Sequence, residues 1–329
     1  MRRLVPYLVG AFCVVLAWLV AAQAQSQSQG QDADEKSTFI KYVEETISTD
    51  NFKIGLNGLQ GTLSSNVTLQ SITIADRKGV WLTIEQPSLV WSRASLLVGK
   101  VDVESLTAKQ VRVDRAPEPD TSAPTAESTP FSLPDLPVAV IIEKLAIDRV
   151  SIDESLFGLE SEISVNGDMQ LDGGSLDTDL KINRLGSTGG ELAAIATYSA
   201  ESRNLNLDLR LTEPADGLFV NLLNIPDKPP VALAITGDGP VSDIILQLAF
   251  DVRAERILTG RLELQPGDLG TDLNARLSGP LASILPQQHQ PFFGDSSDLQ
   301  LAAVLQNSGA IDVRALRLSG GNLNLEGRG

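Results

Sequence analysis

One cysteine, Cys13, and one histidine, His289, are all that 329 residues offer in thiols and imidazoles. A lone cysteine has no partner in its own chain, so no disulfide framework exists. A lone histidine cannot build a histidine-rich metal site. Cys13 follows Phe12 inside an apolar run and lacks the small residues of a lipoprotein cleavage site, so it reads as an apolar filler. His289 lies in Gln287-Gln288-His289-Gln290 between two prolines and reads as an exposed loop residue. No G-x-S-x-G, Walker or G-x-G-x-x-G sequence is present. The expectation is a protein that is not an enzyme and needs no cofactor.

Basic residues are also scarce, with 26 Lys and Arg against 42 Asp and Glu and a formal net charge of -16. A nucleic acid would be repelled before contact. The same sign argues against a polybasic grip on anionic headgroups, so membrane attachment has to come from inserted apolar residues.

One long hydrophobic run supplies such residues. Arg2 and Arg3 precede an uncharged stretch of 19 residues from Leu4 to Ala22, with Val14, Leu16, Trp18 and Val20 in its second half. Ala22-Gln23-Ala24 then fits a small-residue cleavage site. A cleaved signal peptide over 1-24 and a retained single-pass anchor are both physically allowed. Either way the body is delivered across the inner membrane with the positive end cytoplasmic. A flexible spacer follows over 25-35. Phe39, Val43 and Ile47 then recur every four residues with Ile40 beside them, predicting a short helix over Lys36 to Asn51 that caps the first sheet edge.

From Phe52 the apolar period changes to 2. Leu205, Leu207, Leu209 and Leu211 share one strand face while Asn206, Asp208 and Arg210 share the other. The pattern returns at Ile244/Leu246/Leu248/Phe250/Val252, Leu262/Leu264, Leu273/Ala275/Leu277, Ile311/Val313 and Leu323/Leu325. Earlier copies stand at Val101/Val103, Val111/Val113, Leu145/Ile147 and Val150/Ile152. Asn57-Gly58, Asn166-Gly167, Asp172-Gly173, Asp216-Gly217 and Asp238-Gly239 predict tight hairpins, hence mostly antiparallel neighbours. Short helices are expected at Leu218 to Leu223 and, broken by Pro286 and Pro291, at Leu281 to Phe293. A proline-rich linker over 117-137 divides a helix plus β module at 36-116 from a second β segment at 138-329.

About 16 to 18 strands exceed what an open twisted sheet carries without curling. The expected fold is therefore all-β: an elongated, curled antiparallel sheet forming a repeating β-groove, with an N-terminal membrane helix and a few short capping helices. Its apolar lining would include Leu205, Leu207, Leu209, Leu211, Leu246, Leu248 and Phe250. A pair of β-sandwiches with their dry faces together remains open at this stage. Two minor patterns read as structure. Asp172-Gly173-Gly174-Ser175-Leu176-Asp177-Thr178-Asp179 has the composition of a calcium-binding nonapeptide but occurs once, which favours a hairpin turn. Trp81 and Trp91 read as ordinary core.

The stretch Ile54 to Glu85 holds Gly58-Leu59-Gln60-Gly61-Thr62-Leu63 and Ile74-Ala75-Asp76-Arg77-Lys78-Gly79-Val80-Trp81-Leu82. Leu89-Val90-Trp91, Leu97-Val98-Gly99-Lys100-Val101 and Val111-Arg112-Val113-Asp114-Arg115-Ala116-Pro117 follow. This head resembles the translocation and assembly module (TamB) family within the AsmA-like group. Leu133-Pro134-Asp135-Leu136-Pro137-Val138, Glu213-Pro214-Ala215-Asp216-Gly217-Leu218, Gly237-Asp238-Gly239-Pro240 and Leu285-Pro286 leading to Pro291-Phe292-Phe293-Gly294 carry the similarity, more loosely, through the rest. The resemblance implies an inner-membrane anchor, a periplasmic groove and a role in outer-membrane biogenesis. The function it implies is movement of membrane phospholipid between membranes. The alternative is a scaffold or chaperone for outer-membrane protein assembly and secretion, with a barrel partner of the TamA or BamA type. Members of the family are usually longer and end in a domain that engages that barrel, so a chain stopping at Leu323-Asn324-Leu325-Glu326-Gly327 reads as a fragment.

Overall fold

The computed structural model describes residues 53-62, 65-118, 139-157, 159-186, 189-306 and 310-329. The segment carrying Leu4, Val14, Leu16, Trp18 and Val20, the helix expected over Lys36 to Asn51 and most of the proline-rich linker lie outside them. No helix among the described residues is long and apolar enough to cross a membrane. Those residues are mostly strand, nineteen strands with a few short helices, and they divide into two compact units.

The first unit is organised around β7 (Lys100–Val113). Two strands share one of its edges end to end. β5 (Gly79–Glu85) pairs from Leu82↔Val113 to Glu85↔Gln110, and β6 (Ser88–Ser92) from Ser88↔Thr107 to Ser92↔Asp102. β4 (Ser71–Asp76) and β1 (Lys53–Asn57) continue the sheet beyond β5. β3 (Asn66–Thr68) and β2 (Gln60–Thr62) continue it beyond β6. On the other edge β8 (Ala139–Ile152) runs parallel to β7, in register from Lys100↔Ala139 to Val113↔Ile152. The expectation of antiparallel neighbours fails here because the connection after Val113 is long enough to return the chain to the start of its strand.

β7 also unites Val101/Val103 and Val111/Val113, which the alternation presented as separate strands. Its buried positions are Val101, Val103, Leu106, Ala108, Val111 and Val113, so the period of 2 slips twice. One slip faces the register shift between Val90 and Trp91. β8 likewise unites Leu145/Ile147 with Val150/Ile152. Because β8 pairs with β7, residues 138-156 and 160-166 belong to the first unit. A division at 137 taken from the linker therefore does not match the compact units.

β9 (Ser161–Asp172) spans the boundary between the units. After it come β10 (Ser175–Arg184), β11 (Glu191–Ser199), β12 (Asn204–Glu213), β13 (Val231–Pro240) and β14 (Ile244–Val252). β15 (Glu255–Gly267), β16 (Gly270–Gly279), β17 (Ser297–Gln306), β18 (Ile311–Gly320) and β19 (Leu323–Arg328) complete the chain. From β10 onward each strand pairs antiparallel with the next, and among the described residues β19 pairs with β18 alone. The second unit is thus one unclosed ladder, not the two facing sheets of a sandwich. The ladder is curled, and register shifts fall between Phe250 and Asp251 and between Ala302 and Ala303. Glycine permits the tightest strand contacts: a Cβ on Gly260 would overlap the Arg276 carbonyl, and one on Gly279 the Ile257 carbonyl.

The two rims of the second unit differ. One carries short turns at Gly173-Gly174, 200-203, 241-243 and 268-269. The other carries two helical connections. α2 (Leu218–Leu222) lies in the first of them, after α1 (Glu154–Phe157) in the preceding unit, and a 3-10 turn (Leu281–Ile284) with α3 (Gln290–Phe293) lies in the second. Both helices expected of the second unit are therefore present. Their starts at Glu154, Leu218 and Leu281 are 64 and 63 residues apart, one helical connection for every four strands. This repeat escaped the sequence reading, which treated all strands as equivalent.

Of the five expected hairpin dipeptides, Asp172-Gly173 makes a tight turn, with φ of 51° at Gly173 and 73° at Gly174. Asn57-Gly58 leaves β1 for β2, yet β1 pairs with β4. Asn166-Gly167 and Asp238-Gly239 lie inside β9 and β13, and Asp216-Gly217 leads into α2. In the strands, glycine answers a need for close backbone approach, as at Gly167, where a Cβ would overlap the Asp179 carbonyl.

The apolar face of the second unit as a candidate functional site

Strand pairing carries the alternation of β12 across the whole ladder. Leu209 stands between Ala194 and Ile235, Ile235 faces Leu248, and Leu248 faces Gly260. The row goes on through Leu277, Leu299 and Leu318 to Leu325 on the edge strand. Leu205 is flanked by Tyr198 and Gly239, Leu207 by Ala196 and Gly237, and Leu211 by Leu192 and Leu233. Leu246 faces Leu262, and Phe250 lies between Leu233 and Leu258. The seven residues expected to line a groove therefore share one face of one sheet. The cross-strand rows through the four leucines of β12 contain no charged side chain.

They are not equally open. Leu205, Leu207, Leu209, Leu211 and Leu248 are half-buried, as are Ile235, Leu262, Leu277, Leu299 and Leu318. Leu246 and Phe250 are each 6% exposed. Phe250 belongs to a core cluster with Val220, Ile225, Val231, Val252 and Ile257, and its ring centroid lies 5.8 Å from that of Phe219 at 57°. Leu281 and Ile284 pack against the same cluster, so both helical connections cover the rim-side end of the face. Phe250 is thus a packed wall residue, and the half-buried leucines are the part of the face left to water.

The closure at that rim depends on Glu213, which alternation placed at the end of a strand and left without a role. Its buried carboxylate accepts the backbone N–H groups of Leu218 at 3.1 Å and Phe219 at 2.7 Å. Gly217, at the N-cap of α2, has no side chain to do so. The Glu213-Pro214-Ala215-Asp216-Gly217-Leu218 motif is therefore a strand end that caps the helix after it.

The opposite face is polar. Asn206 donates to Asp238 at 3.0 Å, Arg210 binds Asp208 through two N–H groups at 2.9 and 3.0 Å, and Arg317 pairs with Glu326 at 2.8 Å. These exposed pairs each contribute little to stability.

In the first unit, two motifs of the head meet. Arg115 grips Asp76 at 2.6 and 2.7 Å and also donates to the Gly79 carbonyl at 2.7 Å. The Lys78 and Glu118 backbone N–H groups, each at 2.8 Å, complete the shell around the Asp76 carboxylate. The Arg115 guanidinium above all holds that carboxyl far below the usual carboxylate range, against the opposing effect of burial. This clamp ties the β4–β5 turn to the end of β7. Trp81 and Trp91 are 3% and 6% exposed in the same unit, within the core.

The remaining chemical candidates are scattered. His289 is exposed, with a ring nitrogen 3.1 Å from the Gln288 amide. Asp172, Asp177 and Asp179 are exposed on a turn and a strand, and no cluster of three metal-ligating side chains occurs among the described residues. No protein-family model matches the chain, and neither a characterised protein nor a solved structure matches it.

Proposed function

We propose that the chain is a cell-envelope protein of the TamB type, anchored in the inner membrane by residues 4-22, whose periplasmic β-groove moves phospholipid between membranes in outer-membrane biogenesis. The observation that carries this reading is the half-buried apolar face running across ten strands with no charge in the rows through β12. Acyl chains laid on it leave water at roughly 0.8 kcal/mol per methylene. A face with almost no orienting polar group lets a chain slide and does not fix it in one pose. Helical cover at one rim confines the chain sideways while the rest of the face stays accessible.

The test is mass spectrometry of lipids retained by the full chain purified in mild detergent. Phospholipid at about one or more molecules per chain supports the conduit. A lipid-free protein that captures an outer-membrane barrel protein supports the scaffold role instead.

A further inference from the structure

A trough of about 300 Å³ crosses β16 to β19. On each of these strands three consecutive residues line it, as Asn274-Ala275-Arg276 do on β16 and Gln300-Leu301-Ala302 on β17. Side chains alternate along a strand, so the outer two of each triplet point to one face and the middle one to the other. The middle residues, Ala275, Leu301, Leu316 and Gly327, form one cross-strand row on the apolar face. Ala275 is 4% exposed and is therefore no wall of an open trough. The trough runs on the polar face, opposite the leucines, with the backbone of that row as its floor.

Register defines its two walls. One is the row Arg276, Gln300, Arg317 and Glu326, and the other is Asn274, Ala302, Ala315 and Arg328. Arg276 and Arg317 flank Gln300 two strand spacings apart, about 10 Å between Cα atoms, and Arg328 is a diagonal neighbour of Arg317 at about 7–8 Å. Three arginines and one carboxylate thus line the trough. Glu326 holds Arg317 at 2.8 Å, while Glu263, beside the trough, is divided between Arg261 at 3.2 Å and Arg276 at 3.6 Å. Among the described residues no carboxylate lies within ion-pair distance of Arg328, and the side-chain amides of Asn274 and Gln300 have no hydrogen-bond partner. Further out stand Asp298, which is exposed, Asp312, and Asp272, which Arg314 holds at 3.2 Å.

We propose that this trough binds a sugar phosphate. The phosphate monoester sits over Gln300 between Arg276 and Arg317, and the sugar lies on Ala302 and Ala315 with its hydroxyls on the amides of Asn274 and Gln300. A phosphate monoester carries up to about two charges and three acceptor oxygens, which suits several guanidinium forks at once. The two alanines lower the second wall and leave the room a sugar ring needs. Glu326 keeps Arg317 against its wall. The site is on the other side of the sheet from the acyl-chain face and stands whether or not that face carries lipid.

The probe is glucose 6-phosphate, titrated calorimetrically into the full chain in mild detergent at low ionic strength, with glucose and inorganic phosphate as the two halves of the ligand. Glucose 6-phosphate should bind saturably and about tenfold more tightly than either half. Arg276→Gln with Arg317→Gln should weaken it about tenfold with little change in melting temperature, since the two side chains are 55% and 54% exposed. Arg276→Gln alone should weaken it part of the way, and it serves if the double variant melts early. Ala302→Leu fills the trough and keeps every charge, so it should weaken glucose 6-phosphate and leave inorganic phosphate as it was. Arg210→Gln, on the same face at β12, should change no affinity.

Absence of saturable glucose 6-phosphate binding overturns the proposal. So does an equal affinity for inorganic phosphate, which would make the trough a free-anion site, or an equal affinity for glucose, which would remove the arginines from it. A loss in Arg210→Gln as large as that in the double variant would mean attraction by a diffuse field and no built site. Undiminished binding by Ala302→Leu, or by both arginine variants, would put the ligand elsewhere on the chain.

Discussion

The two units build on the same alternation and end in different states. In the first, Leu82 and Val103 are 0% exposed and Ile142 is 1%, while the leucines of β12 in the second remain partly exposed. Residue choice on the dry side separates them. The first unit uses Ile54, Ile72, Ile74, Val101, Val111 and Val113 with Trp81 and Trp91, stiff or bulky side chains that fill a fixed space. The second uses leucine interleaved with Ala194, Ala196, Gly237, Gly260 and Ala275, which leave room above the sheet. Alternation identifies the dry side of a strand, and packing decides whether anything covers it.

The sharpest contrast comes from placing a carboxylate on each dry face. Leu82→Asp buries an unpaired charge and should destabilise the first unit by more than ~4 kcal/mol. Trp81 and Trp91 both belong to that unit, so tryptophan fluorescence in urea reads it directly. Wild-type fluorescence retained at the same urea midpoint would mean that this core is open after all.

The Asp76–Arg115 clamp comes next. Asp76→Asn should cost about 2 kcal/mol, less than a fully buried pair because Arg115 keeps 27% of its side chain exposed. The pH dependence has a definite sign. The folded carboxyl is held far below its ordinary range, so its stabilisation is complete above the unfolded pKa near ~4 and is lost as pH falls toward the folded value. The urea midpoint of the first unit should therefore drop between about pH 5 and pH 3, more steeply in the wild type than in Asp76→Asn. Equal slopes would remove Asp76 as the cause.

Glu213→Ala leaves two helix N–H groups without a side-chain acceptor and should cost about 1 kcal/mol. The accompanying sign is faster amide exchange at Leu218 and Phe219 with little change at Leu209. Smallest of all should be Leu209→Asp, at under ~1 kcal/mol on the global stability of the second unit, because water reaches the new carboxylate. A loss as large as that of Leu82→Asp would make the two units alike.

Much of this was legible in the residues. Six strands of the second unit, β12, β14, β15, β16, β18 and β19, and the short helices near Leu218 and Leu281 follow from period and proline placement, whereas β10, β11, β13 and β17 were not singled out. The parallel β7–β8 pair was hidden because pairing direction across a long connection leaves no local mark, and each of those strands breaks its own alternation. Asn166-Gly167 and Asp238-Gly239 misled because the same dipeptide serves a tight turn or a close strand contact. The clamp was half visible, since Asp76 and Arg115 stood in two recognised motifs, but nothing in spacing says that residues 39 apart will meet.

The central claim is that the second unit offers an open apolar face that carries acyl chains. The most direct measurement is bound phospholipid and melting temperature recorded together for Leu207→Asp, with Asp208→Lys on the opposite face as control. An open face predicts that Leu207→Asp melts within ~3 °C of the wild type yet loses its co-purifying lipid, while Asp208→Lys, which breaks only an exposed pair with Arg210, keeps it. If Leu207→Asp instead unfolds the unit while Asp208→Lys leaves it intact, the face is a closed core and the conduit is contradicted.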